Sequence, residues 1–230
     1  MNKPDKFTAT EKLQHTLEIR LVIFTLKDNQ LGVFLSPSTG PHPSDVWEIP
    51  GVPSNIEKSL EETATQYLTR TMGMEEAYLE QLYTYGDSDR HPDYPLVSVV
   101  YFALIPADAS QQELRKRASL RCFPVNAVPG MVMDHKLILD YALRRLRYKL
   151  EYSAVGFELL PETFTLSELQ NTYEIILGVN LDKRNFRRRI LEAGIIESTP
   201  HRRSGEGRPA QLYRYRPDAI AEVKARRLFP

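Results

Sequence analysis

Two short helical segments separated by a tight turn, between residues 165 and 194, constrain the fold more than any other feature of the sequence. The first segment begins at Thr165, and Glu168 follows at the spacing of a capping box. Gly178 ends this segment, and a second helical segment begins shortly afterwards and is closed by Gly194. A helix, a short turn and another helix in this order predict a helix-turn-helix.

The second of these helical segments is basic on one side only. Phe186, Ile190 and Ala193 recur at helical spacing, so they share a face that can pack on the first helix. The charged and amide side chains lie away from that face or at its edges. They are Lys183, Arg184, Asn185, Arg187, Arg188 and Arg189. This pattern predicts DNA contacts in the major groove, although a charged run can also be simply a solvated surface.

A basic hairpin follows the two helices. Strand-like runs at 195–199 and 211–215 are joined by a glycine-rich loop. The hairpin region carries Arg202, Arg203 and Arg208. Such a hairpin beside a major-groove helix is typical of the wing of a winged helix, whose cations bind phosphates. The sequence therefore predicts a winged helix-turn-helix DNA-binding domain over 153–230.

The charge of the chain is divided between its two ends. The whole chain has no net charge, but residues 183–230 hold 13 Lys and Arg against 5 Asp and Glu, a net charge of +8. Residues 1–182 therefore carry −8. This asymmetry indicates a basic module joined to an acidic body, and nucleic acid is the partner that such a module favours.

The first 152 residues carry the pattern of an α/β domain. Runs rich in β-branched and aliphatic residues at 17–27 and 30–36 predict a hairpin, and 96–106 predicts a buried strand. Helices are predicted at 59–72, at 134–152 and, more weakly, at 110–119. The fold class expected is therefore α/β (α+β), with a layered sandwich over 1–152 and the winged helix over 153–230.

The segment Ile49–Met74 resembles the Nudix box, a glycine loop and helix with the pattern Gx5Ex7REUxEExGU, in which U is a bulky aliphatic residue. The run "WEIPG" that precedes it, Trp47–Gly51, is a strand end through which this family commonly enters its box. The resemblance implies that the N-terminal domain is a Nudix-like α/β/α sandwich.

The metal-binding carboxylates of the box are replaced in this sequence. When the last glycine of the pattern is aligned on Gly73, the loop glutamate falls on Lys58. The four remaining catalytic positions fall on Gln66, Tyr67, Arg70 and Thr71. Because Mg²⁺ needs several hard oxygen ligands, the sequence predicts a domain with no metal and no hydrolase activity.

Two simpler explanations of the box segment stay open. The segment could be an ordinary loop and amphipathic helix. The acidic residues Glu57, Glu61 and Glu62 could also form a displaced metal site. Acidic residues in a first helical turn, however, are expected simply because they complement the helix macrodipole.

A degenerate Nudix domain followed by a winged helix is similar to the Nudix-related transcriptional regulators of NAD metabolism. The segments that carry this resemblance, besides the box, are 83–104, 149–170, 176–199 and 205–215. The resemblance implies a homodimeric repressor of NAD biosynthesis and metabolism genes that binds palindromic double-stranded operator DNA. It also implies that ADP-ribose is the effector that releases the DNA, with no catalytic cofactor.

Binding a nucleoside diphosphate without a metal requires cationic or N–H partners for the diphosphate and a flat apolar surface for the adenine. The candidate cations are Arg20, Arg70 and Arg90. The candidate platforms are Trp47, Tyr94 and Tyr101, and the box glycine Gly51 joins the predicted ligand-binding set.

Two other functions are compatible with the residues. The chain could be an active Nudix hydrolase of ADP-ribose, or of a related nucleoside diphosphate, with an altered metal site and a basic module used for RNA or for localisation. It could also be a pseudoenzyme that serves as a scaffold. Cys122 is the only cysteine, and the first residues contain no apolar signal region, so a cytoplasmic protein without a membrane partner is expected.

Overall fold

The computed structural model describes residues 16–38, 45–55, 57–87, 90–91, 95–106, 120–204 and 209–219. Three predictions fall outside these residues. They are the roles of Tyr94 and Arg208 and the weak helix at 110–119. Within the described part of the chain, no helix is both long and apolar enough to cross a membrane.

The N-terminal domain is built on a seven-stranded sheet. The strands are β1 (Thr16–Lys27), β2 (Gln30–Pro37), β3 (Trp47–Glu48), β4 (Gly51–Pro53), β5 (Tyr78–Tyr85), β6 (Leu96–Ile105) and β7 (Arg121–Pro124). Their order is β3-β2-β1-β6-β5, with β4 paired to β1 and β7 to β2. Only the β1–β6 pair is parallel among these described strands. These two central strands are buried along most of their length, which explains their nearly continuous apolar sequence.

The predicted hairpin at the start of the sheet is confirmed, with a two-residue turn between β1 and β2. Asp28 and Asn29 both have positive φ, 50° and 58°. Two positive φ values in a two-residue turn match the right-handed twist of the strands. Asp and Asn tolerate this conformation better than most residues, so the sequence "DN" fixes the register of the hairpin.

Helix α1 (Leu60–Met72) covers one face of the sheet, as the box segment predicts. Ser59 and Glu62 form a capping box at its start, and Gly73, with φ of 68°, ends it. Ala64, Leu68 and Met72 are buried against sheet residues. The sheet residues in this cluster include Ile19, Leu21, Ile23, Val99 and Tyr101.

Helix α2 (His135–Leu150) covers the opposite face, and the predicted α/β/α sandwich is thereby confirmed. Its buried residues are His135, Ile138, Leu139, Ala142, Leu146 and Leu150. The helix is slightly shorter than the predicted 134–152, because the chain turns after Leu150. Leu143 of the same helix is only partly buried.

The C-terminal part is a winged helix, as predicted. A 3₁₀ helix at Val155–Leu159 leads into α3 (Leu166–Leu177), α4 (Lys183–Glu192), the hairpin β8 (Ile196–Arg203) and β9 (Ala210–Tyr215), and a 3₁₀ turn at Pro217–Ala219. The capping box of Thr165 and Glu168 is present, and Gly178 adopts a left-handed conformation with φ of 73°. The local sequence signals therefore set both ends of the first helix of the motif.

The apolar core continues from the sandwich into the winged helix. Leu150 of α2, Val155 of the 3₁₀ helix and Tyr173 of α3 belong to the same buried cluster. Arg147 of α2 also donates to the carbonyl of Ile176 at 2.8 Å. The division between 152 and 153 stays a prediction, and α2 is the element that connects the two parts of the molecule.

Candidate functional site

Helix α4 is held in place by its apolar side. Phe186 and Ile190 are buried, and the ring of Phe186 meets Tyr173 of α3 edge-to-face at a centroid distance of 5.7 Å. At the N-terminus, the Asp182 carboxylate accepts a hydrogen bond from the amide of Asn185 at 2.8 Å. These contacts fix the rotation of α4, so they also fix which side chains face solvent.

The predicted DNA-contacting residues of α4 fall into two groups. The side chains of Lys183, Arg184, Asn185 and Arg188 are exposed. Arg187 and Arg189 are only partly exposed, and Arg187 donates to the Ser167 hydroxyl of α3 at 3.2 Å. The first group can therefore reach a partner directly, whereas Arg187 also braces α4 against α3.

The wing carries further cations. Arg202 and Arg203 lie exposed in β8, and Arg203 pairs with Glu168, the capping-box residue of α3. Arg214 of β9 pairs with Glu197 across the hairpin. Arg202 is consequently the described wing arginine best placed to bind an external anion, while Arg203 would have to exchange its carboxylate partner.

Polar contacts join β1 to the loop of the box segment, here called the box loop, which includes Ile49 and Gly51. The guanidinium of Arg20 donates to the carbonyl of Ile49 at 2.8 Å and pairs with Glu18 at 2.8 Å and with Glu48 at 3.5 Å. Burial raises the pKa of Glu18, but the hydrogen bond and charge of Arg20 outweigh burial and hold this pKa below its ordinary value. Arg20 is therefore a largely buried cation held beside the loop.

Gly51 and the end of α1 lie close to Arg20. A Cβ atom at Gly51 would lie 2.5 Å from both the Arg20 Cδ atom and the carbonyl oxygen of Ile19, so only glycine fits here. Burial raises the pKa of Tyr67, and the charges of Arg20 and Arg70 oppose this rise. The structure thus brings Arg20, Gly51, Tyr67 and Arg70 to one region, where α1 meets the box loop.

The other predicted ligand residues have different surroundings. Trp47 packs edge-on against Phe123 at 4.7 Å, with the Arg121 guanidinium 5.4 Å from its ring centre. Tyr101 is buried in the sheet face beneath α1. Arg90, with a 5% exposed side chain, forms a two-pronged ion pair with Asp134 at 2.8 and 3.0 Å. The ligand roles of these residues stay predictions.

The residues at the catalytic positions of the box make contacts with α1 and with one another. The Thr71 hydroxyl donates to the carbonyl of Tyr67 at 2.6 Å, and Lys58 donates to Gln66 at 2.6 Å. The Glu62 carboxylate accepts the amide of Ser59 in the capping box. Among the described residues, no group of three or more His, Cys, Asp and Glu side chains could hold a metal ion.

Several polar residues of this region are not predicted from the sequence. Glu18, Ser98 and Asp134 lie in one hydrogen-bonded chain with the two arginines, Arg20 and Arg90. A signal for Glu18 was present, because Glu18 and Arg20 are two positions apart in an otherwise apolar strand and so share one face. The contacts of Ser98 and Asp134 depend on long-range pairing that local sequence patterns do not encode.

His135 fixes the start of α2 to the box loop. The sequence does not predict this role. Its Nδ1 atom accepts the amide of Ile49 at 3.0 Å, and its side chain is almost fully buried. An acceptor nitrogen carries no proton, so this imidazole is neutral. Burial lowers the pKa of His135 to about 4, and the charge of Arg20 acts in the same direction.

We expect His135 to make the protein acid-sensitive. Its folded pKa lies below the ordinary value of 6.5, so the unfolded state binds the proton first and stability falls as the pH drops from 6.5 towards 4. Between pH 7 and pH 5 this contributes a loss of about 2 kcal/mol in the free energy of unfolding. The check is urea unfolding at both pH values for wild type and His135→Gln, which does not titrate. Equal losses in the two proteins would contradict this assignment.

Comparisons with known proteins agree with this architecture. The NrtR DNA-binding winged helix domain matches residues 156–215. A protein of Acinetobacter baylyi described as "ADPR responsive transcriptional repressor NtrR" is 36% identical over 203 residues, covering 86% of this chain and 81% of that protein. The chain belongs to the NrtR family.

Solved structures extend the match over both parts of the chain. Shewanella oneidensis NrtR in complex with a 27mer DNA has a TM-score of 0.81 and 33% identity, covering 89% of this chain and 95% of that one. A MutT/nudix family protein from Enterococcus faecalis has a TM-score of 0.68 at 20% identity, covering 88% of each chain, and so supports the fold alone. The NrtR family thus combines the two units found in this molecule.

Proposed function

We propose that this protein is a transcriptional repressor that binds operator DNA through its winged helix. Binding of ADP-ribose then causes the protein to leave the DNA. The observation that carries the proposal is the one-sided basic surface of α4, which is anchored by its buried apolar side and followed by a basic wing in a chain of the NrtR family. The Acinetobacter relative is described as ADPR-responsive, and the Shewanella relative was solved with DNA. Genes of NAD biosynthesis and metabolism are the proposed targets.

On DNA, α4 would lie in the major groove, with Arg184, Asn185 and Arg188 directed at base edges. Arginine pairs well with guanine, and asparagine with adenine. Phosphate contacts are assigned to the remaining cations. They are Lys183, Arg187, Arg189, Arg202, Arg203 and, outside the described residues, Arg208. Phosphate contacts position the domain, and base contacts specify the sequence.

The Nudix-like domain would bind ADP-ribose where α1 meets the box loop. Arg20 and Arg70 provide positive charge there, and Gly51 allows close approach to the backbone. Arg90, Trp47, Tyr94 and Tyr101 remain in the proposed set, with Trp47 the most accessible described platform for adenine. No bound metal is required by this arrangement, because arginine charge can balance a diphosphate directly.

A homodimer is the proposed DNA-binding form. One winged helix reads only a short half-site, and palindromic operators match the two-fold symmetry of a dimer. The 27mer in the Shewanella complex is long enough for two half-sites one helical turn apart. The proposed site of action is the cytoplasm.

We propose that this protein has no enzymatic activity. Arg70 and Thr71 stand where the box requires carboxylates, and a cation repels Mg²⁺. We therefore expect no AMP release from ADP-ribose above background when the purified protein is incubated with Mg²⁺ or Mn²⁺. Turnover near about 1 per second, within the ordinary enzymatic range, would instead support the hydrolase alternative.

The proposal is tested by a mobility-shift assay on the full chain. Duplexes selected by the protein from a random library should share a palindrome and bind two chains per duplex, and ADP-ribose should release them. AMP and ribose 5-phosphate added separately serve as controls for non-specific anion effects. Equal binding of the selected duplexes and of scrambled duplexes would overturn the proposal.

A further inference from the structure

Helix α2 connects the proposed ligand region to the winged helix. Its 16 residues span about 24 Å. At its start, His135 accepts the amide of Ile49 in the box loop. Towards its end, Arg147 donates to the carbonyl of Ile176 in the last turn of α3, the helix that precedes α4. A displacement of the start of α2 would therefore be passed to the DNA-binding unit.

Asp134 stands at the N-cap of α2 but does not cap the helix. An aspartate at this position normally accepts an amide of the first turn. Here its side chain makes no capping bond and accepts two bonds from Arg90, at 2.8 and 3.0 Å. The carboxylate thus has two possible partners: the Arg90 guanidinium, which it contacts in this structure, and amides of the first turn of α2 that have no partner within the helix.

A chain of polar contacts links this ion pair to the box loop. Arg90 donates to the hydroxyl of Ser98 at 3.1 Å, and Ser98 donates to Glu18 at 2.6 Å. Glu18 in turn pairs with Arg20, which holds the carbonyl of Ile49. An anion that attracts either arginine therefore disturbs the partners of the other, because the members share hydrogen bonds.

We propose that Arg90 and Asp134 are positioning residues that couple effector binding to DNA binding. The proposal rests on the proposed function above and adds the residues through which effector binding changes DNA binding. A nucleoside diphosphate beside Arg20 draws the arginines away from their carboxylates, Asp134 exchanges Arg90 for the amides of the first turn of α2, and α2 shifts against the sheet. The shifted helix moves α3 and changes the placement of α4.

The test compares two aspartates of the same helix region. Asp134→Asn keeps the size and capping ability of the side chain but removes the charge that holds Arg90. The matched control is Asp140→Asn, because Asp140 pairs only within α2, with Lys136, among the described contacts. For each full-length protein, the dissociation constant of ADP-ribose is measured by calorimetry with the protein free and with it bound to a selected palindromic duplex.

Wild type and Asp140→Asn should give the same ratio of the two dissociation constants, about 5- to 150-fold. In Asp134→Asn the ratio should fall to within about 2-fold of one, while the protein still binds the duplex and ADP-ribose. Ser98→Ala, which removes the link between Arg90 and Glu18, serves as a second variant with the same expected loss.

Two outcomes would overturn the inference. A wild-type ratio preserved in both Asp134→Asn and Ser98→Ala would show that coupling does not pass through this chain of contacts, although the proposed function would stand. A ratio of one in the wild-type protein would defeat the proposed function and this inference together. A substitution that only lowers folding stability would lower the thermal midpoint without changing the ratio of dissociation constants in the folded protein. Measuring both quantities therefore distinguishes a structural role from a role in coupling.

Discussion

Alanine at Arg184, Asn185 and Arg188 together is expected to weaken binding to the selected operator by about 100-fold or more. Each good base contact discriminates by about 1–3 kcal/mol, and the three exposed side chains share the outer face of α4. Non-specific binding should change much less, because most of it comes from phosphate contacts. The measurement is fluorescence anisotropy with operator and scrambled duplexes over a range of salt concentrations.

The matched comparison for the α4 variant is Arg202→Ala in the wing. This change should weaken binding to all duplexes alike and should reduce the salt dependence by about one phosphate contact. Arg203→Ala should have a smaller effect, since Arg203 already pairs with Glu168 in the unbound protein. If the α4 and wing variants lost the same affinity on both duplexes, the division into base and phosphate contacts would be wrong.

Phe186→Ala should cost about 3–5 kcal/mol of folding free energy, a large share of the stability of an ordinary domain. Phe186 is 2% exposed, lies between α3 and α4, and meets Tyr173 edge-to-face. Its removal leaves a cavity beneath the recognition helix and so should abolish operator binding as well. Urea unfolding measures the cost in free energy.

Leu191→Ala is the control for this core substitution. Leu191 lies on the same helix but is 51% exposed, so its loss should change stability by less than about 0.5 kcal/mol. A cost for Phe186→Ala as small as that for Leu191→Ala would mean that α4 is not anchored through its apolar face.

The winged helix could be predicted closely from the sequence because its boundaries are encoded locally. Thr165 with Glu168 and the glycine at position 178 fix α3 through contacts within a few residues. In the structure, the same kind of contact sets the ends of α1 at Ser59 and Gly73. Where a cap or a left-handed glycine sets an element, the sequence pattern and the structure agree.

The ligand region was harder to predict because its contacts join distant parts of the chain. The sequence predicts Arg90 as a cation for the diphosphate, and it does not show that Arg90 lies buried against Asp134, 44 residues away. The sequence predicts Tyr101 as an aromatic platform, and the parallel pairing of β1 with β6 that places it under α1 is not visible in local patterns. Burial and pairing of this kind follow from tertiary packing and not from local spacing.

ADP-ribose and operator DNA are expected to oppose each other's binding. In a dimer, two recognition helices must meet half-sites about 34–36 Å apart, so a small rearrangement of α3 and α4 disfavours the second contact. If ADP-ribose prefers the rearranged state, DNA must weaken ADP-ribose binding by the same factor. Typical coupling of about 1–3 kcal/mol corresponds to a change of about 5- to 150-fold in either affinity.

The most direct test is the affinity of the wild-type protein for its selected operator duplex, measured at fixed salt without ADP-ribose and with saturating ADP-ribose. Saturation with ADP-ribose is expected to raise the dissociation constant of the duplex by about 5- to 150-fold. An unchanged dissociation constant, with ADP-ribose shown by calorimetry to be bound, would contradict this expectation.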